Sequence, residues 1–544
     1  MATYGIDLGT TYSCISYVDD TGRAVVAKSA VGEDTTPSIV YFESPDSVVV
    51  GRAAKNSAML HPDRVTELVK RSMGDADMRY EHHGESHTPE SVSALILREM
   101  ARAAEEETGE PVKDVVITVP AYFGVLERDA TRKAGVIAGL NVLDVLAEPV
   151  AAALHYEALN EGGGVRHLLV YDLGGGTFDT TVIRLDGADV KVVCTDGDHR
   201  LGGADWDTKI VDFLLRGFID QHPELDPSGD EQFLQDLAND AEQLKKQLSA
   251  TRSRKHNMRF DGAVVQVELT REQLEELTSE FLDRTMEITE RTLATAREKG
   301  VTDFDDVLLV GGMVRSPVIA ARLKERFGLD ARQHDPDLAV AKGAALYALV
   351  RRVKVALPGE EGEAVSPEAA RKVADQLGIS VRQVEEMAAK KVATVVPRAF
   401  GLKLVDTDDP VFATDPDRAR DYIAHLLTAN TELPADTGPQ TFQTVSDNQT
   451  SVKLEVWEQA GSVASDDLAH NTHIGDGMLS DLPPRPAGAA FEVTFHMTET
   501  GLLKVHGREP GSRREVRFEI QIGGMDEAEV REATTAVGRY QVSG

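Results

Sequence analysis

Short apolar runs alternate with stretches of helical spacing along the first two-thirds of the chain, which predicts strands and helices in alternation and an α/β fold. Leu168-Leu169-Val170-Tyr171 and Thr180-Thr181-Val182-Ile183 predict two buried strands, separated by Asp172-Leu173-Gly174-Gly175-Gly176-Thr177-Phe178-Asp179. The same pattern occurs near the start, where Tyr4-Gly5-Ile6-Asp7-Leu8-Gly9-Thr10-Thr11-Tyr12 leads into Ser13-Cys14-Ile15-Ser16-Tyr17-Val18. A strand, an Asp, a Gly-Thr turn and a returning strand, met twice, predict a duplicated domain. Further strands are expected at residues 115–120, 142–146 and 307–310, and helices at 89–107, 127–138, 230–250 and 317–327, with another starting at Val150. Residues 65–71 read as a helix end carrying Lys70, and residues 74–87, with His82, His83 and His87, as a solvated polar loop.

The two glycine turns bring in chemistry. Backbone without side chains can approach a ligand closely, and successive N–H groups in such a turn form a concavity suited to phosphate. Asp172, Asp179 and, at the equivalent place in the first copy, Asp7 flank the turns, as carboxylates near Mg²⁺ or its waters would. Gly311-Gly312 after a strand offers a third place for close approach. Glu242, Lys245 and Ser249 share one helix face, either as a solvated surface or as a polar wall against a ligand. No G-x-x-x-x-G-K-[ST] loop is present, which excludes a P-loop enzyme.

Composition narrows the class. With 544 residues the chain is long enough for two or three domains. A net charge of -33 opposes general binding to nucleic acid or anionic membranes. Cys14 and Cys194 cannot build a disulfide framework. Met1 is followed almost at once by a strand pattern containing Asp7, and no apolar run is long enough to span a bilayer. No signal peptide and a cytoplasmic location are therefore expected.

The last third reads differently. Residues 357–363 form an acidic, glycine-containing break. Ser366-Pro367 starts a helix, Gly378 ends it, and residues 381–389 form a second one. Residues 373–380 are similar to the turn of helix-turn-helix DNA readers. Two helices in an acidic chain make a poor DNA-binding domain, so a helical hairpin at a domain join is the expectation. From Phe400 onward short alternating strands and turns predict a β-sandwich, followed by one helix within residues 525–540.

Six motifs stand in the order found in the seventy-kilodalton heat-shock chaperone family: residues 5–13, 117–123, 147–154 and 172–179, Leu201-Gly202-Gly203, and Val310-Gly311-Gly312. Residues 429–434, 441–444, 447–449, 452–456, 491–495 and 501–505 resemble its peptide-binding β-domain. The resemblance implies a multidomain protein, an α/β actin-like ATPase of two ribonuclease-H-like lobes followed by a β-sandwich peptide-binding domain. It implies boundaries at 1–352 for the ATPase, 353–391 for the acidic linker and inserted hairpin, 392–523 for the β-sandwich and 524–544 for a truncated helix. The chain looks like a lidless bacterial-type member.

Position by position, the resemblance implies phosphate loops at Gly9, Thr10, Thr11 and Tyr12 and at Gly174, Gly175, Gly176 and Thr177. Asp7, Asp172 and Asp179 match carboxylates around Mg²⁺, K⁺ and their waters. Lys70 matches the catalytic lysine, Glu148 the carboxylate beside the attacking water, and Thr177 the threonine at the γ-phosphate. Asp7 and Asp172 would share in ordering that water. Glu242, Lys245 and Ser249 match the face that holds adenosine, with Gly311, Gly312, Arg315 and Asp337 closing the pocket for ATP or ADP. Pro120 and Arg128 match residues that couple nucleotide state to the β-domain. Ile423, Ala424, Leu426, Thr428, Ala429 and Phe442 are candidates for the peptide channel, with plain β-core as their other reading.

The implied partners are extended apolar peptide segments, a J-domain co-chaperone and a nucleotide exchange factor. The chain departs from the family at the linker, where Lys390, Lys391 and small apolar residues replace leucines bounded by aspartates. Its segments between Lys70 and Pro89 and between Ala250 and Leu269 are short for the family. Two readings follow: an ATP-dependent chaperone of unfolded proteins, or a chaperone-derived ATPase switch serving one dedicated partner. An actin-fold sugar kinase is a third, opposed by the attached β-domain.

Overall fold

The computed structural model describes residues 3–159, 164–357, 365–415, 418–461, 464–499, 501–512, 514–519, 525 and 527–544. The expected acidic break at 357–363 lies outside these residues apart from Leu357.

Two mixed sheets carry the same strand order, as a duplication requires. The first runs Asn141–Ala147, Asp114–Val119, Tyr4–Asp7, Tyr12–Val18, Ala24–Val26. The second runs Ala331–Gln333, Asp306–Val310, Val165–Leu173, Phe178–Asp186, Asp189–Asp198, with Lys391–Ala393 added at its edge. In each, an antiparallel meander sits beside two parallel strands. The meander's first turn is the Asp-Leu-Gly loop in both copies, so the two loops come from equivalent strand ends. The helices Glu148–Leu159 and Ala339–Ala356 pack against each other. Small residues permit that approach: a Cβ on Gly343 would lie 1.8 Å from the Ala151 carbonyl oxygen, and one on Gly5 would lie 2.0 Å from the Ala345 nitrogen. Helix against helix and sheet at this spacing fixes the position of both glycine turns.

The stretch around Lys70 differs from its expectation. Val65–Glu67 is a strand, Leu68 takes a left-handed φ of 57°, and Val69–Ser72 is a single 3₁₀ turn. The strand pairs with Ile39–Ser44, and that pairing overrides the helical reading of the segment. Residues 74–87 are not a solvated loop either. Tyr80–His82 and Glu85–His87 form a hairpin in which His82 and His87 turn inward while His83 is exposed in the turn. His82 is 8% exposed and stacks on Phe42 at 4.1 Å between ring centroids. Its Nε2 lies 2.8 Å from Thr66 Oγ1. The strands are three residues long and polar, so no local pattern revealed that distant aromatics would cover them.

Burial pushes the His82 imidazole down to about 4, and the His87 imidazole is lowered for the same reason. The folded state therefore holds His82 neutral where the unfolded chain, near 6.5, already binds a proton. The stability it contributes is complete above the unfolded value and is lost as pH falls from there toward about 4. Thermal unfolding followed from neutral pH down to about pH 5 should show the midpoint dropping in the native chain. A His82→Gln, His87→Gln double variant should give a flatter profile; equal slopes would remove these groups from the pH response.

The inserted helices are Pro367–Leu377 and Val381–Ala389. Ser366 caps the first by accepting from the Ala369 N–H at 3.2 Å, and Gly378 ends it at φ 71°. Ala370, Val373 and Val384 pack on Leu349 and Val353 of helix Ala339–Ala356, so their apolar faces are covered within the chain. Next comes an antiparallel sandwich. One sheet runs Asp421–Leu427, Phe400–Val405, Val452–Gln459, Asn471–Leu479. The other pairs Ala435–Asp436 and Gln440–Gln443 with Ala490–Met497, Leu503–Glu509 and Arg514–Glu519. Alternate residues such as Leu454, Val456, Phe491, Val493 and Phe495 fill the space between them.

The expected C-terminal helix forms at Glu527–Arg539, and it packs on the first lobe. The strand Gln541–Ser543 then joins Ser47–Val50, Ile39–Ser44 and Val65–Glu67 in one sheet. Gly523-Gly524, which precedes the helix in sequence, lies outside the described residues. Among the described residues no helix is long and apolar enough to cross a membrane.

Candidate active site

The two Asp-Leu-Gly turns face each other across a cavity of about 640 Å³. Each turn is held by its own lobe. In the first, Ser38 Oγ donates to the Gly9 carbonyl at 2.8 Å, and the Gly9 N–H donates to Ser13 Oγ at 3.2 Å. In the second, Gly174 N–H donates to the Thr177 carbonyl at 3.1 Å, while Gly203 and Ala204 N–H groups donate to Gly174 and Gly175 carbonyls at 3.0 and 2.8 Å. Glycine is needed where the turns meet other backbone or the opposite turn's side chains. A Cβ on Gly202 would lie 2.4 Å from the Gly176 nitrogen, and one on Gly175 would lie 2.1 Å from Thr11 Oγ1. The conformation leaves other N–H groups of the turns available to an anion in the cavity.

Between the turns lies a buried charge cluster. Lys70 is 4% exposed, and its Nζ donates to Glu148 Oε1 at 2.6 Å. Asp7 and Asp172 also line the cavity beside this pair. Burial, then the charge of Glu148, holds the Asp7 and Asp172 carboxyls above the usual range. The Asp179 carboxyl is pushed up to about 7 by the same two causes. Burial alone would lower Lys70, but Glu148 and Asp7 outweigh it and the ammonium is raised. Carboxylates in excess of one ammonium make a site that favours further positive charge.

The donor set fits Mg²⁺ held through waters and phosphate oxygens. Among the described residues no three His, Cys, Asp or Glu side chains converge into a direct coordination shell, and Mg²⁺ commonly keeps several waters. Asp179 is placed differently from Asp7 and Asp172. It is 2% exposed, and its two oxygens accept the Ala121 and Tyr122 N–H groups, each at 3.0 Å. It holds a loop and does not line the cavity.

The rest of the cavity is bounded by two facing walls. Glu242, Lys245 and Ser249 line one wall from helix Glu231–Ala250. Opposite them, Gly311, at φ 87°, and Gly312 approach closely, with Arg315 paired to Asp337. A Cβ at Gly311 would lie 2.4 Å from the Leu173 carbonyl oxygen. Thr10, Thr11, Tyr12 and Thr177 line the cavity as expected from their turns, whereas Gly176 lies behind it and gives its carbonyl to Arg71 Nε at 3.2 Å.

Several residues at the site escaped the sequence reading. Lys55 reaches across from the first lobe to Glu242, and Tyr12 donates its hydroxyl to the same carboxylate at 2.7 Å. Arg71 forks onto Asp205 at 2.6 and 3.2 Å, again between lobes. Lys245 is occupied by Asp207 at 2.6 Å and the Gly203 carbonyl at 2.7 Å. Nothing in the local pattern marks Lys55. Arg71 follows Lys70 directly, and that adjacency was the available clue.

The loop that Asp179 holds is also where the β-sandwich docks. Pro120 begins it, and Arg128 braces it by donating to the Phe123 carbonyl at 3.2 Å and the Val145 carbonyl at 3.4 Å. From the sandwich side, Arg398 Nε donates to the Tyr122 carbonyl at 3.1 Å, and its Nη2 pairs with Glu127 at 2.9 Å. Glu458 accepts the Val125 N–H at 3.3 Å, and the Tyr122 hydroxyl donates to the Gly461 carbonyl at 2.7 Å. The linker strand Lys391–Ala393 runs parallel to Asp189–Asp198, and Asn430 Oδ1 accepts the Thr195 N–H at 2.8 Å. Arg398 is a lone charge within Val395-Val396-Pro397-Arg398-Ala399-Phe400, which is the sequence signal that could have found it.

The peptide-channel candidates are spread over one strand, the turn after it and the other sheet, with Leu426 and Phe442 packed on the same sandwich core. Ile423 is 2% exposed, and Ala424 and Leu426 follow it on the same strand. Thr428 and Ala429 lie in the turn that leads to Asn430, beside the ATPase lobe. Phe442 is on the other sheet, stacked on Phe491 at 5.8 Å.

Comparison with known proteins agrees with this geometry. The family profile described as Hsp70 protein matches residues 3–357 and 417–539. The chain is 34% identical over 519 residues to the chaperone protein DnaK of Thermosipho africanus, covering 94% of this chain and 78% of that protein. It is 34% identical over 537 residues to the chaperone protein DnaK of Halobacterium salinarum, covering 97% of this chain and 76% of that protein. A duplicated actin-like nucleotide-binding fold, an attached antiparallel β-sandwich and a profile match over most of the length together show that the chain belongs to the Hsp70 family.

Proposed function

We propose that the chain is an ATP-driven chaperone that couples hydrolysis of ATP to ADP and phosphate with binding of extended apolar segments of unfolded proteins. Hsp70 family proteins are ATPases. In this reading the triphosphate lies between the two glycine turns and the nucleoside lies between the Glu242 face and Gly311-Gly312. Lys70 supplies positive charge at the γ-phosphate, and Glu148, which it holds, orients the attacking water. Bound Mg²⁺, with K⁺ as a further ion, supplies charge neutralisation for the transferred group. Phosphoryl transfer to water needs this positioning and neutral balance more than covalent help.

The observation that carries the coupling is one loop with two clients. Its N–H groups at Ala121 and Tyr122 are held by Asp179, next to the nucleotide cavity. Its carbonyl at Tyr122 and its N–H at Val125 are held by Arg398 and Glu458 of the β-domain side. A shift of Asp179 on hydrolysis moves both contacts. We assign peptide binding to the β-sandwich, where main-chain pairing and an apolar pocket would take an extended segment, and we place the protein in the cytoplasm with J-domain and exchange-factor partners. The second reading, a switch for one dedicated partner, is favoured by the C-terminal helix, which packs on the first lobe rather than on the sandwich.

Steady-state ATP turnover with a panel of apolar peptides separates the two. Stimulation by many unrelated peptides is the expected result. A chain that binds ATP while no peptide binds or alters turnover would leave the dedicated switch.

A further inference from the structure

The β-domain is attached to the ATPase domain at both of its ends, and to different lobes. At its entry, Lys391–Ala393 pairs with Asp189–Asp198 of the second lobe. At its exit, Glu527–Arg539 and Gln541–Ser543 belong to the first lobe. The exit anchor is substantial. Ala533, Val537 and Tyr540, 9%, 1% and 5% exposed, are members of the first lobe's main core. The tail strand runs parallel to Ser47–Val50, with Val542 opposite Val48, and the Gln541 N–H donates to the Asp46 carbonyl at 2.9 Å. Arg98 donates to the Val537 carbonyl and to the Tyr540 carbonyl at 3.5 Å, placing positive charge on the helix C-terminus. The Tyr540 hydroxyl donates to Glu85 at 3.1 Å, and its ring meets Phe42 edge-on at 6.1 Å. A tail paired to a sheet edge and sunk into a core is held by main-chain bonds and apolar burial together.

We infer that the segment Glu527–Ser543 is a brace, closing a loop of structure from the second lobe through the β-domain to the first lobe and so restraining separation of the lobes. The cavity between the lobes must open for a nucleotide to leave, because Lys55–Glu242 and Tyr12–Glu242 cross it and Arg71–Asp205 ties the lobes together outside its lining. A connection outside the cavity, joining the same two bodies, opposes that opening and slows release. This inference rests on the reading of the cavity as a nucleotide site, and its effect is on the rate of exchange.

The test uses the full chain with a specific protease site inserted between Glu519 and Glu527. Ribose-labelled fluorescent ADP is bound, and its release is timed before and after cutting. Gel filtration reports whether the tail stays on the body. The brace predicts a monomer whose cut tail remains bound and whose ADP release speeds up about fivefold or more. Unchanged release with the tail retained overturns it, because the connection would then carry no restraint. Loss of the tail on cutting also overturns it, because the anchor would then not hold by itself. A dimer before cutting, with tails exchanged between copies, overturns the restraint within one chain. Failure of labelled ADP to bind the uncut chain refutes the nucleotide reading instead, and is told apart by that control.

Discussion

Lys70→Ala should lower ATP turnover by about 10²–10³-fold while leaving nucleotide affinity within a few-fold of the native chain. The ammonium is, among the described residues, the one positive side chain paired with Glu148, and both are buried. In the proposed reading a nucleotide is held mainly by the glycine turns and the Glu242 wall, which line the cavity and which the substitution leaves in place. Removing the charge also takes away the cation that opposes the burial of Asp7 and Asp172, so both become harder to ionise. The loss should therefore appear in kcat and not in binding. Single-turnover hydrolysis together with equilibrium binding of a fluorescent nucleotide checks this. A Lys70→Ala chain that turns over at the native rate would remove Lys70 from the chemistry.

Arg398→Met should release the β-domain from the ATPase lobes. The guanidinium is 5% exposed and serves Glu127, the Tyr122 carbonyl and the face of the Tyr122 ring, 4.9 Å away. Burial raises the neighbouring Glu458 carboxyl, and Arg398 is the first opposing influence on it. Methionine keeps the apolar stem and removes the charge, leaving Glu127 and Glu458 facing each other in a dry interface. Breaking a buried pair in this way costs about 3–5 kcal/mol. Arg398→Lys keeps the charge and loses the fork, so it should fall between the two. Glu127→Gln in the Arg398→Met background should recover part of the loss, since one unpaired charge is removed. Hydrogen exchange at Tyr122 to Val125 and the radius of gyration by scattering report the release. Native values for both in Arg398→Met would show that the contact carries no docking energy.

The paired turns were readable because their chemistry is local. An Asp, then glycines, between two apolar runs specifies a turn, a strand pair and a concave backbone without help from elsewhere. The inserted helices were readable for the same reason, with Ser366-Pro367 at the start and Gly378 at the end. What the pattern could not supply was contact between distant segments. His82 and His87 look like surface residues until Phe42 and Tyr540 are brought over them. The strand at Val65–Glu67 is set by its neighbour Ile39–Ser44, not by its own spacing. Asp179 has the right composition for a metal site, yet its oxygens are taken by two backbone donors that only the fold delivers. Lys55 has no signature at all. Arg398 did have one, an isolated charge in an apolar run, and a rule that buried charges need partners would have flagged it.

The pairing of Gln541–Ser543 with Ser47–Val50 joins segments that most of the sequence separates. A nascent chain that has emerged as far as the β-sandwich already contains every other strand of that small sheet, yet the outer edge at Ser47–Val50 has no partner until residues 541–543 have been made. During that interval the edge is a template open to any extended chain nearby. The chain thus spends its own maturation exposing the kind of unpaired strand edge that promotes aggregation, and the three residues of Gln541–Ser543 retire it.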